Sequence, residues 1–203
     1  MFHDKFEVFD DFLANPEKFK QSAFDAGFGS WRPNKGEVGS SIYDGMCFWG
    51  DHGVALKALI KRLNKGIVPN SMFFRITNEN TEKAYTHSDR EMGNYTAIVY
   101  LSHHDENESG TGFYKHRETG YIRMPSFADL RTKPEFFEKL KTQMVDGGEQ
   151  DWEQINFVPG KYNRCVVFDA PRFHARHPRH GFGTDEQTGR CVWVCHFDIY
   201  GEE

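Results

Sequence analysis

The second half of the chain is a succession of short apolar runs, and this limits the possible folds more than any other feature. Ser71 to Thr77, Tyr95 to Ser102, Thr111 to His116, Ile155 to Val158, Arg164 to Asp169 and Arg190 to Tyr200 are each of strand length. Most are rich in β-branched and aromatic residues, and polar, turn-forming stretches such as Asn78 to Glu82 and His103 to Gly110 separate several of them. Helical signals concentrate at the front. Asn15-Pro16 supplies a cap and a first-turn proline for a helix that should stop at Gly27. Asp51 to Asn64 predicts a second helix, with Leu56, Leu59, Ile60 and Leu63 as its apolar stripe and Gly66 as its stop signal. Helices followed by many strands predict a mainly β fold, a two-sheet barrel or jelly roll backed by helices.

Other stretches are less regular. Phe6 to Phe12 reads as a short strand running into a turn, and Gly29 to Gly50 as a structured loop whose aromatics enter the core or face a ligand. Between Glu118 and Trp152 the strand pattern breaks down. A helix beginning near Pro134, with Phe136, Leu140 and Met144 on one face, interrupts the strands there and should pack on the body. The loop before it, with Arg117, Tyr121 and Arg123, is expected to border the entrance to the site described below and to favour an acidic substrate.

The chain has 203 residues, which suits a single domain over 1–203 with an inserted helical segment near 118–152. A net charge of −5 argues against a nucleic-acid backbone binder. No apolar run approaches the length of a membrane span, and Met1-Phe2-His3-Asp4 lacks the order of a signal peptide. Cys47, Cys165, Cys191 and Cys195 form no CxxC pair, and three of them lie in strand patterns. Buried free thiols are therefore expected, which suits a cytoplasmic protein.

His87-Ser88-Asp89 is the chemically informative triplet. A histidine and a carboxylate two apart on an extended segment point to the same side and could share one metal ion. A second histidine is available at Phe173-His174, beyond the apolar run Cys165-Val166-Val167-Phe168, and Arg190 opens the next run. Two histidines and one carboxylate on one face suit non-haem iron(II) and leave coordination positions open. His177 and His180 are alternatives to His174 as the later ligand, whereas His103, His104 and His116 read as solvent-facing or satisfied histidines. His196 falls on the face of Arg190 if the alternation of the last strand holds, as either pocket or core.

With these residues in view, the sequence resembles the iron(II)/2-oxoglutarate-dependent dioxygenases, in particular their prolyl-4-hydroxylase-like branch. The resemblance is carried by His87-x-Asp89, Tyr100-Leu101-Ser102, Gly110-Thr111-Gly112-Phe113, His174 and Arg190, with Phe9-Asp10-Asp11-Phe12-Leu13 at the start. It implies a double-stranded β-helix (jelly-roll, cupin-like) core with the metal near one open end. It also implies Fe(II) held by His87, Asp89 and His174, with the 2-oxo acid end of 2-oxoglutarate chelating it. Arg190 would pair with the far carboxylate and Tyr100 would hydrogen-bond it; Arg179 and Arg176 are the alternatives to Arg190, because the segment from His174 to Arg190 is longer than usual. The implied activity is O2-dependent hydroxylation of an amino-acid, peptide or small-metabolite substrate. The carboxylate at Asp89 favours hydroxylation over halogenation. Two other readings are a cupin-type metal enzyme that does not use 2-oxoglutarate and a non-catalytic metal-binding module.

Overall fold

Register and turn chemistry explain how these runs assemble. A computed structural model describes residues 6–31, 43–105, 108–132, 134–145 and 148–201. In chain order the elements are β1 (Glu7–Phe9), α1 (Pro16–Ala26), β2 (Gly29–Trp31), β3 (Tyr43–Cys47), α2 (His52–Leu63), β4 (Ile67–Thr77), β5 (Tyr95–Tyr100) and β6 (Gly110–His116). They continue with α3 (Phe127–Thr132), α4 (Pro134–Val145), β7 (Trp152–Pro159), β8 (Cys165–Asp169), β9 (His174–His177) and β10 (Arg190–Ile199).

The strands form an antiparallel seven-stranded sheet, β1-β8-β5-β10-β4-β3-β2, and a three-stranded sheet, β7-β6-β9. His87 forms a bridge with His174 on the free side of β9, so the segment leading to Asp89 extends the smaller sheet by one short rung. The two sheets are the halves of a double-stranded β-helix, the expected core.

β10 shows how alternation sorts the core. Cys191, Trp193, Cys195 and Phe197 point to a cluster that includes Phe19 and Ala23 of α1 and Ala55 and Leu59 of α2. Val192 and Val194 point the other way, into an inter-sheet cluster with Ile98, Tyr100, Phe113, Val166 and Phe168. The helices therefore back the large sheet and leave its inner face to the site. The Asn15 side chain caps α1 by accepting from Lys18 N at 3.0 Å, and Gly27 follows at φ 83°. In α2 the buried positions are Ala55 and Leu59, whereas Ile60 of the expected stripe is exposed. The stripe is thus rotated toward the small Ala55, which lets the helix lie close to the sheet. All four cysteines are buried and free. Among the described residues no helix is long and apolar enough to cross a membrane.

Three segments depart from expectation. Gly29 to Gly50 is not all loop: β2 and β3 form the edge of the large sheet, while residues 32–42 lie outside those described. Gly45 makes this packing possible, since it sits at φ 69° and a Cβ there would lie 2.1 Å from the Ile76 carbonyl oxygen. β4 begins at Ile67, before the expected Ser71, and its Pro69 sits opposite Phe197 where the register shifts. Between β6 and β7 the described residues form two α-helices and a short 3-10 turn (Glu149–Asp151), where one helix was expected. Leu140 of α4 is buried with Tyr114, Trp152 and Phe173, and Met144 packs beside them, which covers the outer face of the smaller sheet. The Phe136 side chain lies outside the described residues.

Candidate metal centre

The site is built where the smaller sheet meets the inner face of the larger one. His174 opens β9, and its backbone exchanges two 2.9 Å hydrogen bonds with His87. That pairing brings the two imidazoles to 4.4 Å between centroids. His174 also lies opposite Phe113 of β6, and Phe168 meets its ring edge-on at 4.7 Å, so one flank of the site is apolar. The segment is extended at His87, but at Asp89 (φ −94°, ψ 16°) the chain turns into one short turn of 3-10 helix. The Asp89 N–H donates to the Ala170 carbonyl at 2.9 Å, which fixes this turn against the end of β8. The carboxylate thus reaches the histidines through a turn and not through simple strand alternation.

Ligand-type atoms of His87, Asp89 and His174 all lie within 4.8 Å of one another. Asp89 Oδ1 is 3.5 Å from His87 Nε2, and Oδ2 is 3.2 Å from His174 Nε2. Both rings are oriented from behind. His87 Nδ1–H donates to the Tyr85 carbonyl at 2.9 Å, and His174 Nδ1–H to that of Arg172 at 2.9 Å. Each bond leaves Nε2 as the nitrogen that faces the carboxylate. His87 stays 44% exposed at the rim, while His174 is buried. The protein packed around His87, then the neighbouring His174, push its pKa down to about 4. Burial opposes ionisation of Asp89, but His174 and His196 outweigh it and hold the carboxyl well below its usual range. Burial likewise acts against charge on His174, and Asp89 outweighs it, so its pKa is raised. The carboxylate of Asp89 thus favours its charged form between two histidines of opposite tendency, His87 toward the neutral form and His174 toward the protonated one.

Arg190 opens β10 on the same inner face and is buried. Its Nη2 donates to the Gly110 carbonyl at 3.3 Å, its Nε has no acceptor, and it has no carboxylate partner among the described residues. Burial pushes its pKa down. Tyr100 lies beside it, with its ring centroid 5.7 Å from the guanidinium carbon, and its hydroxyl is 2.7 Å from that of Thr111. Burial raises the Tyr100 pKa to about 12.

The alternative residues are committed elsewhere. Arg176 pairs with Glu82, as does Arg75. Arg179 donates to the Ala84 carbonyl and to Thr86 Oγ1, pinning the segment that leads to His87. His177 packs edge-on against Phe157, and His180 is exposed, its Nδ1 3.4 Å from the Thr81 carbonyl. His116 is buried and satisfied by Thr119 and Gln143, while His103 and His104 stack on Tyr162 and Phe182 at the surface. The expected entrance loop is only partly near the site. Tyr121 packs into the outer cluster under α4, and Arg123 lies 3.4 Å from Asp169 at the end of β8. Sequence reading missed Ser71 and Thr96, because their relevance depends on cross-strand register. His196, signalled by alternation from Arg190, does face the cluster, with Nε2 3.3 Å from Asp89 Oδ2.

A protein-family model described as a family of unknown function, DUF6445, matches residues 71–197, which span every residue of this cluster and Arg190. The chain belongs to this family. No curated protein matches it in sequence. Several solved structures match nearly its whole length. AviO1 from Streptomyces viridochromogenes Tue57 has a TM-score of 0.57 at 14% identity over 98% of this chain and 92% of its own. SnoK, a non-heme alpha-ketoglutarate-dependent carbocyclase from nogalamycin biosynthesis, has a TM-score of 0.55 at 11% identity over 96% and 79%. HygX from Streptomyces hygroscopicus, solved with nickel and 2-oxoglutarate bound, has a TM-score of 0.53 at 11% identity over 97% and 83%. At these identities the likeness is one of fold: the chain shares its two-sheet β architecture with these three proteins.

Proposed function

We propose that the chain is an iron(II)- and 2-oxoglutarate-dependent oxygenase that hydroxylates an amino-acid, peptide or small-metabolite substrate. One observation carries this reading: two Nε2-directed histidines and an aspartate converge at one spot, with a buried arginine on the same inner face that has no carboxylate partner among the described residues. The donor set fits the metal, since two imidazoles and one carboxylate on one side suit non-haem iron(II) and leave room for other ligands. The arginine fits the cosubstrate, since its planar fork matches a carboxylate and a buried cation without a counter-ion gains from one. The family-level resemblance to the prolyl-4-hydroxylase-like branch rests on the sequence motifs and belongs to this proposal.

In this reading His87, Asp89 and His174 hold Fe(II), which supplies O2 activation coupled to oxidation of 2-oxoglutarate. Arg190 binds the far carboxylate, and Tyr100, whose hydroxyl now meets Thr111, offers a further hydrogen bond. Phe113 and Phe168 keep water from the His174 side. The carbonyls of Tyr85 and Arg172 keep the ligand nitrogens aimed. The net charge of −5 favours a small molecule or peptide over a nucleic acid as the partner. The test is succinate formation from 2-oxoglutarate under air, with and without Fe(II), across a panel of amino acids, peptides and metabolites. Iron-dependent, substrate-stimulated succinate supports the proposal. Binding of iron with no consumption of 2-oxoglutarate under any condition points instead to a metal enzyme of the same scaffold that does not use it.

A further inference from the structure

His196 carries no role in the ligand set, yet its position is specific. It lies on the inner face of β10, six residues beyond Arg190, between Thr96 of β5 and Ser71 of β4 in the cross-strand register. Its Nδ1 is 2.6 Å from Ser71 Oγ, and its Nε2 is 3.3 Å from Asp89 Oδ2. The same carboxylate oxygen accepts from Thr96 Oγ1 at 3.0 Å. The His196 ring is buried, and Phe73 flanks it with centroids 5.9 Å apart.

A serine hydroxyl has one proton to give and free lone pairs, and a neutral imidazole has one N–H and one acceptor nitrogen. A carboxylate oxygen accepts, and Asp89 Oδ2 already accepts from Thr96 Oγ1. The arrangement that satisfies all three groups has Ser71 donating to Nδ1 and the Nε2–H of His196 donating to Asp89 Oδ2. Thr96 and His196 then both hold Oδ2, which also lies 3.2 Å from His174 Nε2, while Oδ1 faces His87 Nε2 at 3.5 Å. A carboxylate fixed through one oxygen cannot rotate about its last bond without losing both donors.

We propose that His196, backed by Ser71, is a positioning residue that locks the rotamer of the Asp89 metal ligand. The inference rests on the metal-centre reading of His87, Asp89 and His174. It also makes β10 carry two functions at once, since the strand that presents Arg190 to an anion holds the metal ligand six residues further on. Sequence alternation places His196 on this face, but only the register of three strands shows that it bridges Ser71 and Asp89.

The test is anaerobic Co(II) titration of the metal-free protein, read by visible d–d absorption, with wild type, His196→Ala, His196→Gln and Ser71→Ala. Loss of an oriented partner behind a metal ligand weakens metal binding by about 10- to 100-fold. His196→Ala should show a loss of that size and an altered d–d band. His196→Gln keeps an N–H donor and should recover part of the affinity, and Ser71→Ala should lose less than His196→Ala. Thermal melting of the metal-free variants checks folding; if His196→Ala does not fold, the comparison of His196→Gln and Ser71→Ala with wild type decides. Affinity and spectrum equal to wild type in every folded variant would overturn the role of His196 while leaving the metal centre intact. Failure of wild type to bind Co(II) would overturn the metal-centre reading and this inference together.

Discussion

Replacing Arg190 by methionine should separate cosubstrate binding from stability in an unusual way. The side chain is 4% exposed, its Nε has no acceptor among the described residues, and the bond to Gly110 is a long one at 3.3 Å. Arg75 and Arg176 add to the positive field around it, and the carboxylate of Glu82 pairs with those two instead. Burying an ion without a partner costs several kcal/mol even after relaxation. Met keeps much of the stem volume and removes the charge, so the ligand-free variant should melt no lower than wild type. Binding of 2-oxoglutarate should suffer in the opposite sense. Losing a buried, hydrogen-bonded charge pair costs about 2–5 kcal/mol, or about 30-fold to about 4,000-fold in Kd. The assay is equilibrium binding of 2-oxoglutarate to Co(II)-loaded protein under anaerobic conditions, paired with thermal melting of the ligand-free protein. An unchanged Kd would refute the assignment. A large drop in melting temperature would show that Arg190 serves the fold and not a ligand.

Further outcomes are expected. His87→Ala, Asp89→Ala and His174→Ala should each lose stoichiometric iron and all turnover while His177→Ala and His180→Ala keep both, as measured by metal analysis after anaerobic loading. Metal affinity should fall with acid. His87 stays neutral down to a pKa of about 4 and Asp89 stays ionised, but the raised pKa of His174 means that a proton competes for its Nε2 as pH drops through that value. Calorimetry in buffers of different ionisation enthalpy should therefore find close to one proton released per metal bound below that pKa, and none well above it. Leu140→Ala should destabilise the protein by about 2–5 kcal/mol, because Leu140 is fully buried under the smaller sheet, with no change in Co(II) affinity.

The parts legible in the sequence were those set by local chemistry. Asn15-Pro16 marks the start of α1 because cap and first-turn preferences act within a few residues. His87, Asp89 and His174 were expected together from their donor types and order, and the fold does bring their ligand-type atoms to one spot, although Asp89 joins them through a turn and not a straight strand. The rest depends on distant partners. β3 and the start of β4 carry glycine, proline and asparagine, which read as loop until a neighbouring strand supplies their pairing. Tyr121, expected near the site, is drawn to the outer side by the apolar cluster under α4, which periodicity alone did not reveal. The support behind Asp89, from Thr96, His196 and Ser71, comes from three strands far apart in sequence.

The central claim is that one metal ion bound by His87, Asp89 and His174 shares a chelating 2-oxo acid whose far end reaches Arg190. The most direct measurement is the visible spectrum of the anaerobic protein with Fe(II), before and after 2-oxoglutarate is added. The account predicts a weak metal-to-ligand charge-transfer band that appears only with both components and is absent in Asp89→Ala. Iron bound stoichiometrically with no band at saturating 2-oxoglutarate would contradict it.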